Sequence, residues 1–180
     1  MSTLLRVDSS PMGENSISRK LTSQFANAWA KAHPHRKIIT GDRSTSEVLI
    51  GELEQADEYV FGIPMHNFNV PSAPKLWIDP VVRSGRTFSH GTDGPKGPLT
   101  GKKATLLVAS GGGYEAGGAM AALNFANPYL ETILRLIGVT DITTISAEAR
   151  PSSEAVKSTR RLPRAVATEA SERRSSMSMQ

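Results

Sequence analysis

Short apolar runs alternate with amphipathic stretches along nearly the whole chain. Leu4-Leu5-Arg6-Val7 reads as a short strand, and a turn rich in Ser, Pro, Gly and Asn follows it. Over residues 16–31 the period changes. Leu21, Phe25, Ala28 and Trp29 fall at i, i+4, i+7 and i+8, which is one face of a helix. Residues 37–40 read as a second strand and 48–55 as a short helix. Residues 58–63 form a strongly apolar strand that ends at Pro64. Residues 73–83 look helical, although Pro80 falls among them. A proline there removes the bond to the carbonyl of Leu76, a loss of roughly 3 kcal/mol in a helix interior. Residues 104–109 are the clearest strand and run straight into Gly111-Gly112-Gly113. Residues 128–137 read as a helix stopped by Gly138, and 142–145 as a fifth strand. A last helix is expected over 152–171, broken near Pro163.

Strands alternating with helices are the signature of a parallel sheet covered on both faces. Five strands in about 145 residues suit the order 2-1-3-4-5, the flavodoxin-like three-layer α/β sandwich. Such a sheet binds ligands beyond the carboxyl ends of its strands, at the switch point between strands 1 and 3. There are no internal repeats. One domain is expected over 1–172, with 173–180 as a disordered tail.

Composition narrows the classes. Of 180 residues, 38% are hydrophobic and 21% charged, a globular balance. The chain has no cysteine, so disulfides, thiolate nucleophiles and Cys-ligated metals are excluded. No apolar run reaches the length of a membrane-spanning helix. Arg6 and Asp8 stand where a signal peptide needs an apolar stretch, so a cytoplasmic protein is expected. The net charge is +4, and from Pro151 onward six basic residues outnumber three acidic ones. No aromatic residue interleaves those charges, as stacking on bases would want. A solvated terminus is therefore the reading, with no nucleic-acid partner and no membrane.

Three loops carry the candidate chemistry, each directly after a parallel strand. In the first, Ser9, Ser10, Ser16 and Ser18 surround the start of helix 1. Hydroxyls and free N–H groups at a helix start favour a phosphate dianion; the same serines could equally be helix caps. The second loop runs from Pro64 to Pro71, held stiff by its prolines. Its Asn67 and Phe68 suit the edge and face of a flat heterocycle. In the third, Ser110-Gly111-Gly112-Gly113-Tyr114, glycines let the backbone approach a planar ligand.

Taken together these residues resemble the FMN-dependent NADH-azoreductases, relatives of the NAD(P)H quinone reductases. Ser9-Ser10 and Ser16-Ile17-Ser18 match the family's serine pattern, and Pro64-Met65-His66-Asn67-Phe68 resembles its Pro-Met-Tyr-Asn-Phe. Lys75-x-Trp77-Ile78-Asp79, Gly85-Arg86-Thr87-Phe88, Gly94-Pro95 and Gly101-Lys102-Lys103 follow in order. Ser110-Gly111-Gly112-Gly113, Pro128-Tyr129-Leu130 and Ile137-Gly138-Val139 complete a resemblance that spans residues 4–148. It implies an enzyme that passes hydride equivalents from NADH or NADPH, through bound FMN, to a quinone or azo acceptor. Donor and acceptor would use the same place in turn, in a homodimer. Ser10, Ser16, Ile17 and Ser18 would hold the FMN phosphate. Met65, His66, Asn67 and Phe68 would line the isoalloxazine, and Ser110, Gly111, Gly112 and Gly113 would reach its pyrimidine side. No catalytic acid or base and no metal ligand is assigned. His66 stands in place of the more usual tyrosine, and His90 in place of an aromatic. The segment 41–56 is shorter than in the family, where it walls the pocket and extends the dimer contact. The alternative is a flavin-binding or interaction module with little turnover.

Two shorter matches compete. Gly111-Gly112-Gly113-Tyr114-Glu115-Ala116 fits a dinucleotide-binding G-x-G-x-x-A, with Glu131 20 residues past Gly111. That fingerprint belongs to a first strand–helix turn, and here it follows the fourth strand. Ser72-x-x-Lys75 resembles the penicillin-recognising motif, but neither Ser-Asp-Asn nor Lys-Thr-Gly accompanies it.

Overall fold

The computed structural model describes residues 3–10, 15–40, 46–92, 94–114 and 116–148. The helix expected over 152–171 and the tail over 173–180 lie outside the described residues. Within them, five parallel strands form one sheet: β1 (Thr3–Asp8), β2 (Lys37–Thr40), β3 (Glu58–Pro64), β6 (Lys103–Ser110) and β7 (Asp141–Glu148). Their spatial order is β2-β1-β3-β6-β7. Between β3 and β6 an antiparallel hairpin, β4 (Ser89–Gly91) with β5 (Gly94–Lys96), stands outside this sheet. With the hairpin set aside, the order is the expected 2-1-3-4-5.

Strand alternation divides the core between two faces. Leu4, Val60 and Leu107 turn to one side, against Leu21, Ala26 and Trp29 of α1 (Ile17–Ala32). Their neighbours Leu5, Phe61 and Leu106 turn to the other. That face packs on α2 (Ser46–Gln55), α3 (Ser72–Val81) and α4 (Ala126–Leu136). Nearly continuous burial along β3 and β6 is what a central parallel strand requires. The buried face of α1 differs in part from the expected one. Phe25 and Ala28 are half-buried, while Ser18, Thr22 and Ala26 are buried. Small residues take the face because α1 lies close on β3 at Gly62. A Cβ there would stand 2.6 Å from Thr22 Cγ2 and 3.1 Å from the Ser18 carbonyl oxygen.

Pro80 does less harm than its position suggests. It falls in the last turn of α3, which ends at Val81, and Leu76, whose carbonyl loses its partner, is exposed to water. The freed end is held from outside. Val82 N–H returns to the Ile78 carbonyl (2.9 Å). Ser46 Oγ donates to the Pro80 carbonyl and Thr87 Oγ to that of Val81, each at 2.5 Å. Arg83 and Arg86 then pair with Glu47, and Arg86 also with Glu54, tying this turn to α2. Lys102 donates to the carbonyls of Glu54 and Ala56 at the end of α2. Burial holds its ammonium below the usual lysine range, against the pull of Asp57 and Glu54.

Further along the chain, the backbone at Gly97 meets the end of α4. Gly138 has φ +105°, a left-handed conformation that suits glycine. A Cβ on Gly97 would lie 1.9 Å from the Ile137 carbonyl carbon. Backbone cannot yield as a side chain does. Gly97→Ala should therefore destabilise the protein by about 3 kcal/mol, the upper range of overpacking. Gly111→Ala, whose Cβ would enter open space, should leave the urea midpoint unmoved. Equal midpoints for the two variants would show that the Gly97 contact is slack.

Candidate functional site

The register of the sheet brings the three loops to one edge. Asp8 at the end of β1 lies opposite Gly62 of β3, and Pro64 lies opposite Ala109 of β6. The chain therefore leaves all three strands side by side, at the switch point between β1 and β3.

The first loop is built on the start of α1. Ser16 is the N-cap, its hydroxyl accepting from Arg19 N–H at 3.2 Å. The first four N–H groups of a helix have no partner within it. Ser16 takes that of Arg19, and those of Ile17 and Ser18 have no partner within the helix. The Ser16 and Ser18 hydroxyls lie 3.1 Å apart. The cap and the anion-site readings of Ser16 are thus compatible, since one hydroxyl both caps and lines the cradle. Ser9, Ser10, Ser16 and Ser18 are all buried, and α1 has no acidic residue in its first turn. Ile17 is exposed. Ser9 Oγ donates to the Gly62 carbonyl (2.9 Å) and Arg19 Nε to that of Ser10 (3.0 Å). Neither role was legible in the sequence, because both partners are backbone carbonyls whose positions only the fold sets.

The second and third loops are locked together. His66 and Asn69 exchange both backbone bonds (2.9 and 3.0 Å) around a tight turn in which Asn67 and Phe68 have φ +48° and +69°. Two successive left-handed residues make a type I′ turn, and a bulky Phe in that region is strained. Outside bonds hold the strain. Met65 N–H donates to the Ala109 carbonyl (2.7 Å) and Phe125 N–H to that of Phe68 (3.0 Å). The Phe68 ring meets that of Tyr114 edge-on at 6.1 Å. Asn124 and Phe125 adjoin these loops and were not singled out in the sequence; the bond from Asn124 Nδ2 to the Tyr114 carbonyl (2.9 Å) closes the third loop. Ser110, buried, donates to the Gly112 carbonyl (3.0 Å). Gly112 fits closely, since a Cβ would reach Met120 Cε at 2.5 Å, whereas Gly111 faces open space. Met65 is half-buried, and His66, Asn67 and Phe68 are exposed. Met65, His66, Asn67, Phe68, Ser110, Gly111, Gly112 and Gly113 thus share one sheet edge with the serines.

The competing motifs find no support in the geometry. Gly111 follows β6, not the first strand. Ser72 is exposed in the first turn of α3, and Lys75 pairs with Asp79, which holds its ammonium above the usual lysine range.

The chain matches a family model described as "Flavodoxin-like fold" over residues 2–167. An FMN-dependent NADH:quinone oxidoreductase of Acidobacterium capsulatum is 43% identical over 178 residues, covering 82% of this chain and 86% of that one. One from Nostoc punctiforme is 37% identical over 186 residues, covering 86% and 91%. Among solved structures, an FMN-dependent NADH-azoreductase from Bacillus anthracis, in complex with FMN, superposes with a TM-score of 0.83 at 18% identity. It covers 94% of this chain and all of that one. The NAD(P)H:quinone oxidoreductase of Methanothermobacter marburgensis gives a TM-score of 0.72 at 18% identity, covering 92% and 97%. The structural matches establish a flavodoxin-like fold. On the sequence matches, the chain belongs to the family of FMN-dependent NADH:quinone oxidoreductases.

The turn at Asn67 offers a direct check on the second loop. Asn67→Gly should keep stability within about 0.5 kcal/mol, because glycine adopts a left-handed φ freely. Asn67→Val should lose about 1–2 kcal/mol, since a β-branched residue cannot hold that φ without strain. Urea denaturation of both variants measures this; equal stability would mean the turn rearranges freely.

Proposed function

We propose that this chain binds FMN at the β1/β3 switch point and passes hydride equivalents from NADH or NADPH to quinones and aromatic azo compounds. The observation that carries the reading is the cradle of buried serines around the start of α1, on the same sheet edge as the other two loops. Its donors suit a dianion: hydroxyls, the N–H groups of Ile17 and Ser18, and no acid in the first turn. Ser10, Ser16, Ile17 and Ser18 would hold the phosphate. The backbone from Met65 to Phe68 and from Ser110 to Gly113 would line the ring. When bound, FMN supplies two-electron redox chemistry between the nicotinamide and the acceptor. The protein's part is to bind, orient and exclude water, and no side-chain acid or base is assigned. FMN rather than FAD fits a single phosphate cradle.

Relatives at 37–43% identity bear the quinone oxidoreductase name, which supports turnover over a module without activity. A homodimer completes the reading. Ile17, Phe68, Leu123 and Phe125 are exposed large apolar residues on or beside the three loops, an edge that a second subunit would cover. Among the described residues no helix is long and apolar enough to cross a membrane.

Donor and acceptor sharing one place predicts ping-pong kinetics. Double-reciprocal plots at several NADH concentrations should be parallel; intersecting lines would mean that both substrates bind together. An azo bond needs two hydride equivalents to yield two amines, so azo dyes should turn over more slowly than quinones.

The cradle has its own test. The double variant Ser16→Ala/Ser18→Ala removes two hydrogen bonds to a charged group, each worth about 1.5–3 kcal/mol. FMN affinity should fall by about two orders of magnitude or more, while riboflavin affinity holds. Fluorescence titration of the apoprotein reads both. A variant that still prefers FMN clearly over riboflavin would show that these serines only cap the helix.

A further inference from the structure

Asp8 ends β1, and Ser9 and Ser10 of the cradle follow it directly. Its carboxylate is 8% exposed and lies against the first turns of α1, accepting from Thr22 Oγ1 at 2.5 Å. Asp8 Oδ1 and the Ser18 carbonyl oxygen each stand 3.1 Å from the Cβ that Gly62 lacks. The structure therefore buries a carboxylate in the same tight corner as the proposed phosphate cradle. Two negative groups in a partly dehydrated corner repel far more strongly than in water.

The Thr22 bond alone does not explain the charge, since an asparagine oxygen would accept it as well. Arg6 does. Its Nε and Nη2 lie 2.8 and 2.7 Å from Asp8 Oδ2, and Nη2 also donates to Ser23 Oγ on α1 at 2.9 Å. The guanidinium neutralises the carboxylate from the β1 side and anchors to the helix whose start forms the cradle.

We propose that Arg6 is a positioning residue for the phosphate of the flavin: it compensates the Asp8 charge, so that Asp8 can hold α1 in place without repelling the anion. The proposal rests on the flavin reading above. It makes a charge-specific demand on the ratio of FMN to riboflavin affinity, which a purely structural role would leave alone.

The experiment titrates FMN and riboflavin into apoprotein, following flavin fluorescence, for the wild type, Arg6→Gln, Asp8→Asn and the double variant. Arg6→Gln should lower FMN affinity about tenfold or more and move riboflavin by less than about threefold. Asp8→Asn alone should hold or raise the preference for FMN. The double variant should return it to within about threefold of wild type, because the uncompensated charge is gone. An unchanged ratio in Arg6→Gln, or a fall that the double variant does not repair, would overturn the proposal. Should Arg6→Gln fail to fold, Asp8→Asn decides, and a fall in its FMN preference overturns it too. A wild type that binds FMN no better than riboflavin overturns the flavin reading itself, and this proposal with it.

Discussion

The first turn of α1 lies on β3 with almost nothing between them, and the candidate site depends on that closeness. Gly62 has no side chain to hold the helix off. Ser9, just after β1, ties that strand to β3 by donating to the Gly62 carbonyl, and Thr22 ties α1 to the end of β1 by donating to Asp8. A parallel sheet leaves its ligand site beyond the strand ends, so the height of this helix start over the sheet sets where its N–H groups point. A larger residue at 62 would lift α1, and the serine cradle with it, off the edge that the other loops share.

The other loops reach their positions by a different means. The Asn67–Phe68 turn is strained, and strain persists only where surroundings over-determine the conformation. Here the surroundings are backbone bonds from Met65 to Ala109 and from Phe125 to Phe68, with the Tyr114 ring packed on Phe68. The second and third loops therefore behave as one unit, and the first is fixed separately by its helix. A serine-lined helix start and a loop pair held by independent supports suit a ligand with a charged tail and a flat head. Exposed Phe68 and Phe125 leave this loop pair open on one side.

Much of this was legible in the sequence. The apolar period separates strands from helices, and the five main strands emerge at their places, four of them within one residue at each end and the fifth three residues short at its end. The motifs that identify the family lie in the loops after β1, β3 and β6, where parallel-sheet physics puts a site. The hairpin β4–β5 was missed because three-residue strands carry too little pattern to read. The small buried face of α1 was missed because its reason, Gly62, lies 40 residues away from Thr22.

By itself, then, the sequence determined the sheet order, the family and the three loops, because these rest on local periodicity and on short motifs. Only the tertiary structure decided that the Ser16 hydroxyl caps α1 beside that of Ser18, that Phe68 sits in a left-handed turn held by Phe125, and that Asp8 pairs with Arg6 against α1. Each of these depends on a partner brought near by folding, and periodicity and short motifs carry no information about which distant backbone group a side chain will meet.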